Sequence, residues 1–425
     1  MTINQVGISD LALYVPDPLI DLETLLQHRS QDDPRLERRL RRAMETTGQR
    51  SIRYPQPWED NATLSAQAAH NLLQRSNGAT LSGMRYLAVG TETGVDHSKP
   101  VAAYVEGMLQ SAGVQIPESI STFQVQHACA GGTISMLSVS ALLQVCGRRE
   151  ESGMVICSDI ARYQSHTTAE ITQGAGAVAM LIQPEPQLIE LDLQTQGYSS
   201  RDVDDFFRPL GSVTAKVKGG YSVQCYNEAF ENAFLDHCNR VGGAPDEILR
   251  KTDIFALHVP FYKMAITALH RLVSRHIEMS AGEFDGFMRQ RGFLQGIDAA
   301  TRIGNIYSGA AYASLLFSLA DRYREFGEDI VGKRVLIGSY GSGNTMTVVG
   351  GRVATGAPAI IESWDLDAIW DNERSLPFED YETWMRAPYP ADQYRTLLDG
   401  ISVPRQRYYL GDIRDDGYRE YRFNP

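Results

Sequence analysis

Two hydrophobic periods alternate along the chain. Short apolar, β-prone runs predict strands, at 5–14, 84–90, 121–125, 153–158, 253–257 and 334–338. Longer segments predict helices, at 20–29, 34–47, 61–74 (amphipathic), 101–111, 134–143 (buried), 227–241, 264–276 and an Ala-rich stretch ending near 324. Strands that alternate with helices over the whole length indicate an α/β architecture. Residues 358–425, acidic and aromatic and then basic, predict a peripheral helical cap.

Four of the predicted strands lead directly into a polar residue with glycine or proline close behind. These polar positions are Glu92, Cys129, His258 and the loop 342–344. Because open α/β sheets bind ligands at the carboxyl ends of their strands, we expect these positions to converge. Glutamate, cysteine, histidine and asparagine together form a candidate set of nucleophile and acid–base groups.

Cys129 lies between a β-prone run and a long apolar run, so we expect it at a helix N-terminus. Backbone N–H groups and the helix dipole favour a thiolate there. Gly131 and Gly132 allow a second backbone or a substrate to approach closely. Taken alone, the same pattern is more often that of a small buried cysteine packed beside glycines. The other positions also have structural interpretations: Glu92 as a surface or helix-capping carboxylate, His258 as a core histidine.

Composition excludes several classes of protein. A net charge of −12 argues against nucleic-acid binding. The five cysteines have neither zinc spacing nor a disulfide pattern, so we expect no metal site and a reducing compartment. The glycines at 174–176 precede a predicted strand and do not open a helix, which argues against a dinucleotide loop. The chain shows no signal peptide and no apolar segment long enough to span a membrane, so we expect a soluble cytoplasmic protein.

Eight motifs occur in a specific order along most of the chain. They are GTETGVDHSKP around Glu92, HACAGGT around Cys129, SDIARY around Asp159, TQGAGAVAM, DDFFRP, LHVPFYKM around His258, RIGNIYSGA around Asn305 and GSYGSGN around Ser342. Together they resemble the 3-hydroxy-3-methylglutaryl-CoA synthases of the thiolase superfamily. The resemblance implies an α/β thiolase-like fold of two similar halves, 1–190 and 191–425, in five layers with the C-terminal cap, and it implies a homodimer.

The resemblance also implies roles for individual residues. Cys129 matches the nucleophile that takes the acetyl group of acetyl-CoA, and Glu92 matches the base that removes a methyl proton and later acts as acid. His258 and Asn305 match residues that hold and polarise acetoacetyl-CoA. The N–H groups of Cys129 and Ser342 are a candidate oxyanion site. Further matching positions are supporting or substrate-contacting, at Asp159, Asp205, Thr172 and Lys263. No cofactor beyond the CoA thioesters is implied, and the pathway is that of mevalonate and isoprenoids.

Two features depart from the family pattern. Ala130 replaces a tyrosine that usually follows the nucleophile, so we expect more room beside the thioester. The second departure is a basic segment at 35–53. Its dense run of arginines at 35–42 is typical of a solvated helix face, but it also suits an acidic partner or a phosphorylated cofactor. A related branch acts on acyl carrier proteins in polyketide β-branching, and that is the alternative function. HACAGGT and Gly48-Gln49 favour CoA substrates. A third hypothesis, a catalytically silent acyl-binding subunit, is disfavoured by the intact Glu92–Cys129–His258 set.

Overall fold

The described part of the chain, residues 5–76 and 78–425 of the computed structural model, is built on a ten-stranded mixed sheet. Up to residue 184 the elements are β1 (Val6–Tyr14), β2 (Pro18–Asp21), α1 (Leu22–Asp32), α2 (Pro34–Thr47), β3 (Ser51–Arg53), α3 (Asn61–Leu73), α4 (Gly78–Ser82), β4 (Met84–Gly90), α5 (Val101–Ser111), β5 (Ser121–Val125), α6 (Gly131–Cys146), β6 (Ser152–Ala161) and β7 (Gly174–Pro184).

The remaining strands and helices follow from residue 189. They are β8 (Ile189–Leu191), β9 (Gly197–Ser200), β10 (Phe206–Phe207), β11 (Lys216–Val217), α7 (Gly219–Val241), α8 (Pro245–Lys251), β12 (Ile254–Leu257), α9 (Tyr262–His276), α10 (Ala281–Gln290), α11 (Phe293–Asp298), α12 (Ala300–Ile303), α13 (Ala310–Phe326), β13 (Arg334–Gly341), β14 (Thr345–Val353), α14 (Ala357–Glu362), α15 (Ala368–Asp371), β15 (Arg374–Ser375), α16 (Phe378–Arg386), α17 (Ala391–Leu398), β16 (Arg407–Ile413) and β17 (Arg419–Asn424). The predicted strands are present, and β6 and β13 extend beyond their predicted ends.

The large sheet joins strands from both parts of the chain. Its order is β12, β13, β14, β8, β1, β7, β6, β4, β5, with β9 paired to β14. The short strand β8 makes the junction, because it pairs with β1 on one side and with β14 on the other. The boundary predicted at residue 190 falls within β8, and the division into two domains stays a prediction.

Two central helices, α6 and α13, pack in the main core. Met136 and Leu143 of α6 and Leu316 of α13 belong to one buried cluster, and the hydroxyls of Thr133 and Tyr312 hydrogen-bond between the helices at 2.7 Å. Ala128–Cys146 is long and apolar enough to cross a membrane by length and composition, which corrects the expectation that the chain has no such segment. Because 56% of this stretch is buried inside the protein, core packing accounts for its apolarity.

The helix α3 is buried on nearly every side, whereas an amphipathic helix was predicted. It lies between the sheet and the strand β16 near the C-terminus. Its small alanines permit close packing on both faces. Residues 358–425 contain helices, as predicted, but they end in the antiparallel hairpin of β16 and β17, whose Tyr408 reaches the core.

Candidate active site

The loop before α6 presents Cys129 at the end of β5. Cys129 lies two residues ahead of the first helical residue, Gly131, and Ala128 has φ = +42°, in the left-handed region that non-glycine residues avoid. The strand β13 touches the same turn, since a Cβ added to Gly341 would lie 2.6 Å from the carbonyl oxygen of His127. The end of β13 therefore carries Ser342 to the neighbourhood of Cys129.

Glu92 contacts Cys129 directly. The Cys129 Sγ lies 3.8 Å from Glu92 Oε1. Both groups are buried: 7% of the Cys129 residue and 7% of the Glu92 side chain are exposed. Burial raises the pKa of Glu92 to about 8, although Arg208 opposes that rise. Burial and then the neighbouring Glu92 carboxylate raise the pKa of the Cys129 thiol well above its usual value. Cys129 is therefore a neutral thiol and the predicted thiolate is wrong, because desolvation outweighs the effect of the helix N-terminus.

Asp159 supports the Glu92 segment from inside β6. Its Oδ1 accepts hydrogen bonds from the Glu92 backbone N–H at 3.0 Å and from the Thr91 and Thr93 hydroxyls at 2.8 and 2.7 Å. Its Oδ2 accepts from the Ser308 hydroxyl at 2.6 Å. A buried carboxylate with this many donors orients the loop that it bonds. Asp159 forms no ion pair with Arg162, three residues farther along the chain, because the Arg162 Nη1 donates to the carbonyl oxygen of Ala387.

Arg208, from the DDFFRP motif, was not singled out by sequence reasoning. Its Nη2 lies 3.2 Å from Glu92 Oε2, and its Nη1 donates to the Glu92 carbonyl oxygen at 2.7 Å. The motif was the available signal, but an arginine followed by proline is indistinguishable in sequence from a surface charge. Arg208 and Glu92 are 116 positions apart in the sequence, and only the fold brings their side chains into contact.

An aromatic wall surrounds the thiol. Tyr163, Phe206 and Tyr307 form one buried cluster with Cys129, and the Phe206 ring contacts the Tyr307 ring edge-on at 5.8 Å between centroids. Sequence reasoning missed these aromatic residues too, although SDIARY, DDFFRP and RIGNIYSGA contain them. They surround the reacting atoms with apolar surface, which strengthens the electrostatic interactions at Glu92.

His258 and Asn305 approach from the second part of the chain. His258 follows β12, is 2% exposed, and its carbonyl oxygen accepts a hydrogen bond from Tyr226. Burial lowers the pKa of His258 to about 3, so its imidazole is neutral at pH 7. Asn305 Oδ1 accepts the N–H of Tyr307 at 2.8 Å. Among the described residues, no hydrogen bond joins either side chain to Cys129, so their substrate-binding roles stay predictions.

Asp205 holds the loop that contains Ser342. Its carboxylate is buried and accepts hydrogen bonds from the Tyr340 hydroxyl at 2.8 Å and from the Gly343 N–H at 2.9 Å. Its contacts within the described chain are therefore those of a supporting residue for the 342–344 turn. Ser342 lines the cavity together with Glu92.

Three further positions singled out in the sequence are Thr172, Lys263 and Ala130. The Thr172 carbonyl oxygen accepts the Asn305 N–H at 3.2 Å. Lys263 is exposed on α9, where its Nζ donates to the Glu45 carbonyl oxygen at 2.6 Å. Ala130 is fully buried, and a Cβ on Gly341 would lie 2.7 Å from the Ala130 Cβ. The methyl group of Ala130 thus faces β13 and lies outside the set of residues that line the cavity.

A cavity of about 580 Å³ opens beside this constellation. Glu92, Ala128 and Arg208 line its inner end, and the C-terminal segment contributes Trp384 and Tyr389 to another wall. A buried thiol in contact with a carboxylate that lines a cavity of this size, both at the ends of strands, suits a thioester-condensing enzyme.

Comparison with known proteins agrees with that class. The family models described as hydroxymethylglutaryl-coenzyme A synthase N terminal and C terminal match residues 2–187 and 293–424. The hydroxymethylglutaryl-CoA synthase of Haloferax volcanii is 27% identical over a 416-residue alignment that covers 89% of this chain and 91% of that protein. A solved structure of MvaS in complex with 3-hydroxy-3-methylglutaryl coenzyme A has a TM-score of 0.85 and 31% identity, and 99% of each chain is covered.

A carrier-protein relative also matches. The polyketide biosynthesis 3-hydroxy-3-methylglutaryl-ACP synthase of Bacillus subtilis is 25% identical over a 393-residue alignment that covers 88% of this chain and 87% of that protein. The fold and site define an acyl-transferring condensing enzyme of thiolase-like fold. Since the two family models together cover most of its length, the chain belongs to the hydroxymethylglutaryl-CoA synthase family. The predicted family, fold class and enzyme class are confirmed.

Proposed function

We propose that this protein condenses acetyl-CoA with acetoacetyl-CoA to give 3-hydroxy-3-methylglutaryl-CoA. The observation that carries the proposal is the contact of Cys129 Sγ with Glu92 Oε1 at 3.8 Å in a buried site. The relative solved with 3-hydroxy-3-methylglutaryl coenzyme A supports the choice of product.

In the first step, Cys129 Sγ attacks the acetyl carbonyl carbon. A C–S bond to Cys129 forms and the C–S bond to CoA breaks, and the thiol proton passes through the Glu92 carboxylate to the departing CoA sulfur. The end of β13 at Gly341 abuts the Cys129 turn. This proximity supports an oxyanion site made of the N–H groups of Cys129 and Ser342.

In the second step, the Glu92 carboxylate removes a proton from the methyl group of acetyl-Cys129. The enolate carbon attacks the ketone carbon of acetoacetyl-CoA, a C–C bond forms, and the ketone oxygen becomes an alkoxide. Neutral Glu92 returns its proton to that alkoxide, and His258 and Asn305 bind the second thioester. Water then cleaves the C–S bond to Cys129, which restores the thiol and leaves a carboxylate on the product. Because thioesters activate their own α-carbons, we propose no further cofactor.

Two measurements on the same protein test this function. Incubation with acetyl-CoA should add one acetyl group to the intact protein, at Cys129 by peptide mapping, and addition of acetoacetyl-CoA should then yield the product. Cys129→Ala, as the control, should do neither. Wild-type protein that is never acetylated, or that is acetylated but yields no condensation product, would rule the proposal out.

A second candidate keeps the chemistry and changes the carrier of the substrate. The observation that favours it is an exposed basic face of α2, which we define by four arginines without an ion pair in the described chain: Arg35, Arg38, Arg39 and Arg42. Arg41, between them, pairs with Glu37 and Glu23. Unpaired arginines in a chain of net charge −12 suit an acidic partner such as an acyl carrier protein.

The carrier hypothesis is tested by offering both forms of the second substrate. Reversing three charges, Arg35→Glu, Arg38→Glu and Arg42→Glu, should lower kcat/KM for an acetoacetyl carrier protein and leave kcat/KM for acetoacetyl-CoA near wild type. Arg149→Glu, at an exposed arginine that pairs with Glu185, is the matched control. An equal loss with both substrates would assign the basic face to binding of CoA.

We infer that the protein is a homodimer. The strand β5 is an edge of the large sheet, and all its residues are at least partly exposed in the single chain. Edge strands without a neighbour pair readily with a second copy. Light scattering over a range of micromolar concentrations should give twice the chain mass, and a monomer mass throughout would contradict the inference.

We also propose a cytoplasmic location. The five cysteines are all unpaired, which is usual for a reducing compartment. Fractionation of the native cells should recover the protein with the cytosol, and recovery with another compartment would contradict this proposal.

A further inference from the structure

The guanidinium of Arg208 contacts both the side chain and the backbone of Glu92. One nitrogen lies 3.2 Å from Glu92 Oε2, and another donates to the Glu92 carbonyl oxygen at 2.7 Å. The side chains of Arg208 and Glu92 are 13% and 7% exposed. An arginine that forms an ion pair with the carboxylate of one residue and donates a hydrogen bond to the carbonyl oxygen of the same residue restricts where that carboxylate points.

The hairpin that carries Arg208 is held in place by hydrogen bonds and ring contacts within the chain. Beyond Arg208, the N–H of Ala215 donates to the Arg162 carbonyl oxygen at 3.0 Å, and the N–H of Lys218 donates to the Asp205 carbonyl oxygen at 2.9 Å. Phe206, two residues before Arg208, packs edge-on against Tyr163 and Tyr307. The chain is therefore fixed both before and after Arg208, and this holds the guanidinium next to Glu92.

The other ionisable groups around Glu92 are all acids. Asp159 bonds the Glu92 N–H, Cys129 contacts Oε1, and Tyr163 and Tyr307 stand in the wall around the thiol. Among the described residues that contact Glu92, Arg208 supplies the positive charge. A desolvated carboxylate next to acids takes up a proton unless a cation opposes it, and a protonated Glu92 cannot remove the methyl proton.

We propose that Arg208 is a positioning residue that favours the ionised form of Glu92 and directs its carboxylate at acetyl-Cys129, and thereby sets the pH range in which the enolate forms. The inference rests on the proposed condensation. When Glu92 takes the methyl proton, its carboxyl becomes neutral and the ion pair weakens, but the bond from Arg208 to the Glu92 carbonyl oxygen does not depend on that proton. Glu92 thus stays in place to return the proton to the alkoxide.

The test is the pH profile of condensation in Arg208→Gln. Because removal of the cation raises the pKa of Glu92, the acidic limb of kcat should move up by about one pH unit or more. At pH 7 the rate should fall about tenfold or more, with a smaller loss at higher pH. Acetylation of Cys129 by acetyl-CoA, read by intact mass, should still occur. Arg208→Lys, whose single ammonium cannot make both contacts, should give a smaller shift in the same direction.

Arg419→Gln is the matched control, since Arg419 also faces the cavity but pairs with Asp60 at 2.9 Å. Its acidic limb should coincide with that of the wild type. If Arg208→Gln shows no cooperative thermal transition and is therefore unfolded, the acidic limb of the kcat profile is measured on Arg208→Lys instead. If the acidic limb of the variant's kcat profile stays at the wild-type pH and kcat is reduced equally at every pH, the role of Arg208 is overturned while the proposed function stands. Wild-type protein that forms no product would overturn the proposed function as well.

Discussion

The residues that frame the reactive thiol have unfavourable backbone conformations. Ala128 and Tyr307 both have φ = +42°, which costs about 1–3 kcal/mol for each non-glycine residue. The surrounding structure imposes both conformations, for example through the bond from the Tyr307 N–H to Asn305 Oδ1. One strained residue directly precedes Cys129 and the other belongs to its aromatic cluster, so the fold keeps the geometry of the site at a cost in stability.

Glu92 is the proposed base of the condensation. Glu92→Gln keeps the size of the side chain but removes the base, so condensation should fall about 10²- to 10⁴-fold. Acetylation of Cys129 should be slower, because Glu92 also relays the thiol proton, but it should remain detectable by intact mass because the attacking sulfur is still present. Condensation at the wild-type rate would show that another group is the base.

His258 makes the stability of the fold sensitive to acid. Its pKa is about 3 in the folded protein against an ordinary 6.5, so between these values the unfolded chain binds a proton that the folded chain does not. Stability therefore falls as the pH drops below 6.5, by up to about 1.4 kcal/mol per pH unit. Urea unfolding at pH 6.5 and 4.5 should show a smaller loss for His258→Gln than for wild type, by on the order of 2 kcal/mol. Equal losses would contradict the buried neutral imidazole.

At the scale of elements, close approach between α6 and β6 depends on Gly132. A Cβ at Gly132 would lie 2.2 Å from the Cys157 Sγ. Gly132→Ala must therefore push the helix away from the sheet. We expect a loss of about 1–3 kcal/mol in the free energy of unfolding, measured by urea denaturation, together with slower acetylation of Cys129 because the start of α6 moves.

Gly107 supplies the comparison for that prediction. It lies in α5 with nothing within 4 Å of an added Cβ. Gly107→Ala should leave acetylation as it is and stabilise the protein by roughly 0.5–1 kcal/mol, since alanine loses less backbone entropy in a helix. Similar effects of the two substitutions would mean that helix propensity, and not the contact with Cys157, decides the outcome.

At the scale of the whole molecule, a buried ion cluster attaches the C-terminal segment to the rest. Arg29 Nη2 lies 2.6 Å from Glu170 Oε1 and 2.5 Å from Glu382 Oε1, and the Glu170 side chain is fully buried. Glu382 belongs to α16. The cluster therefore joins α1 to the segment that contributes Trp384 to the cavity wall.

Removal of Arg29 should release that segment. Arg29→Met leaves the Glu170 carboxylate buried beside Glu382, and we expect a loss of about 3–5 kcal/mol in the free energy of unfolding. Limited proteolysis should cut first within 378–398. Arg41→Met, which removes an exposed pair with Glu37, should cost less than about 1 kcal/mol. Equal costs would show that burial of the Arg29 pair contributes nothing.

Much of the site was predictable because it lies in contiguous motifs. Cys129 and Glu92 each follow a strand whose apolar run is visible in the sequence, and the fold brings their side chains together. Arg208 was missed because its partner is remote in the chain. The amphipathic prediction for α3 failed because the hairpin at the chain's end covers its outer face, and local periodicity carries no information about such a distant element.

The sequence by itself determined the family, the order of strands and helices, and the pair Glu92 and Cys129. Hydrophobic periodicity and turn residues are local properties of the sequence, and the family's motifs occur along it in a fixed order. Only the tertiary structure decided the protonation of those residues. Burial sets the pKa of Glu92 to about 8 and raises that of Cys129, and burial is a property of everything packed around a group. The same holds for Arg208, whose charge acts on Glu92 only because the fold excludes water from the space between them.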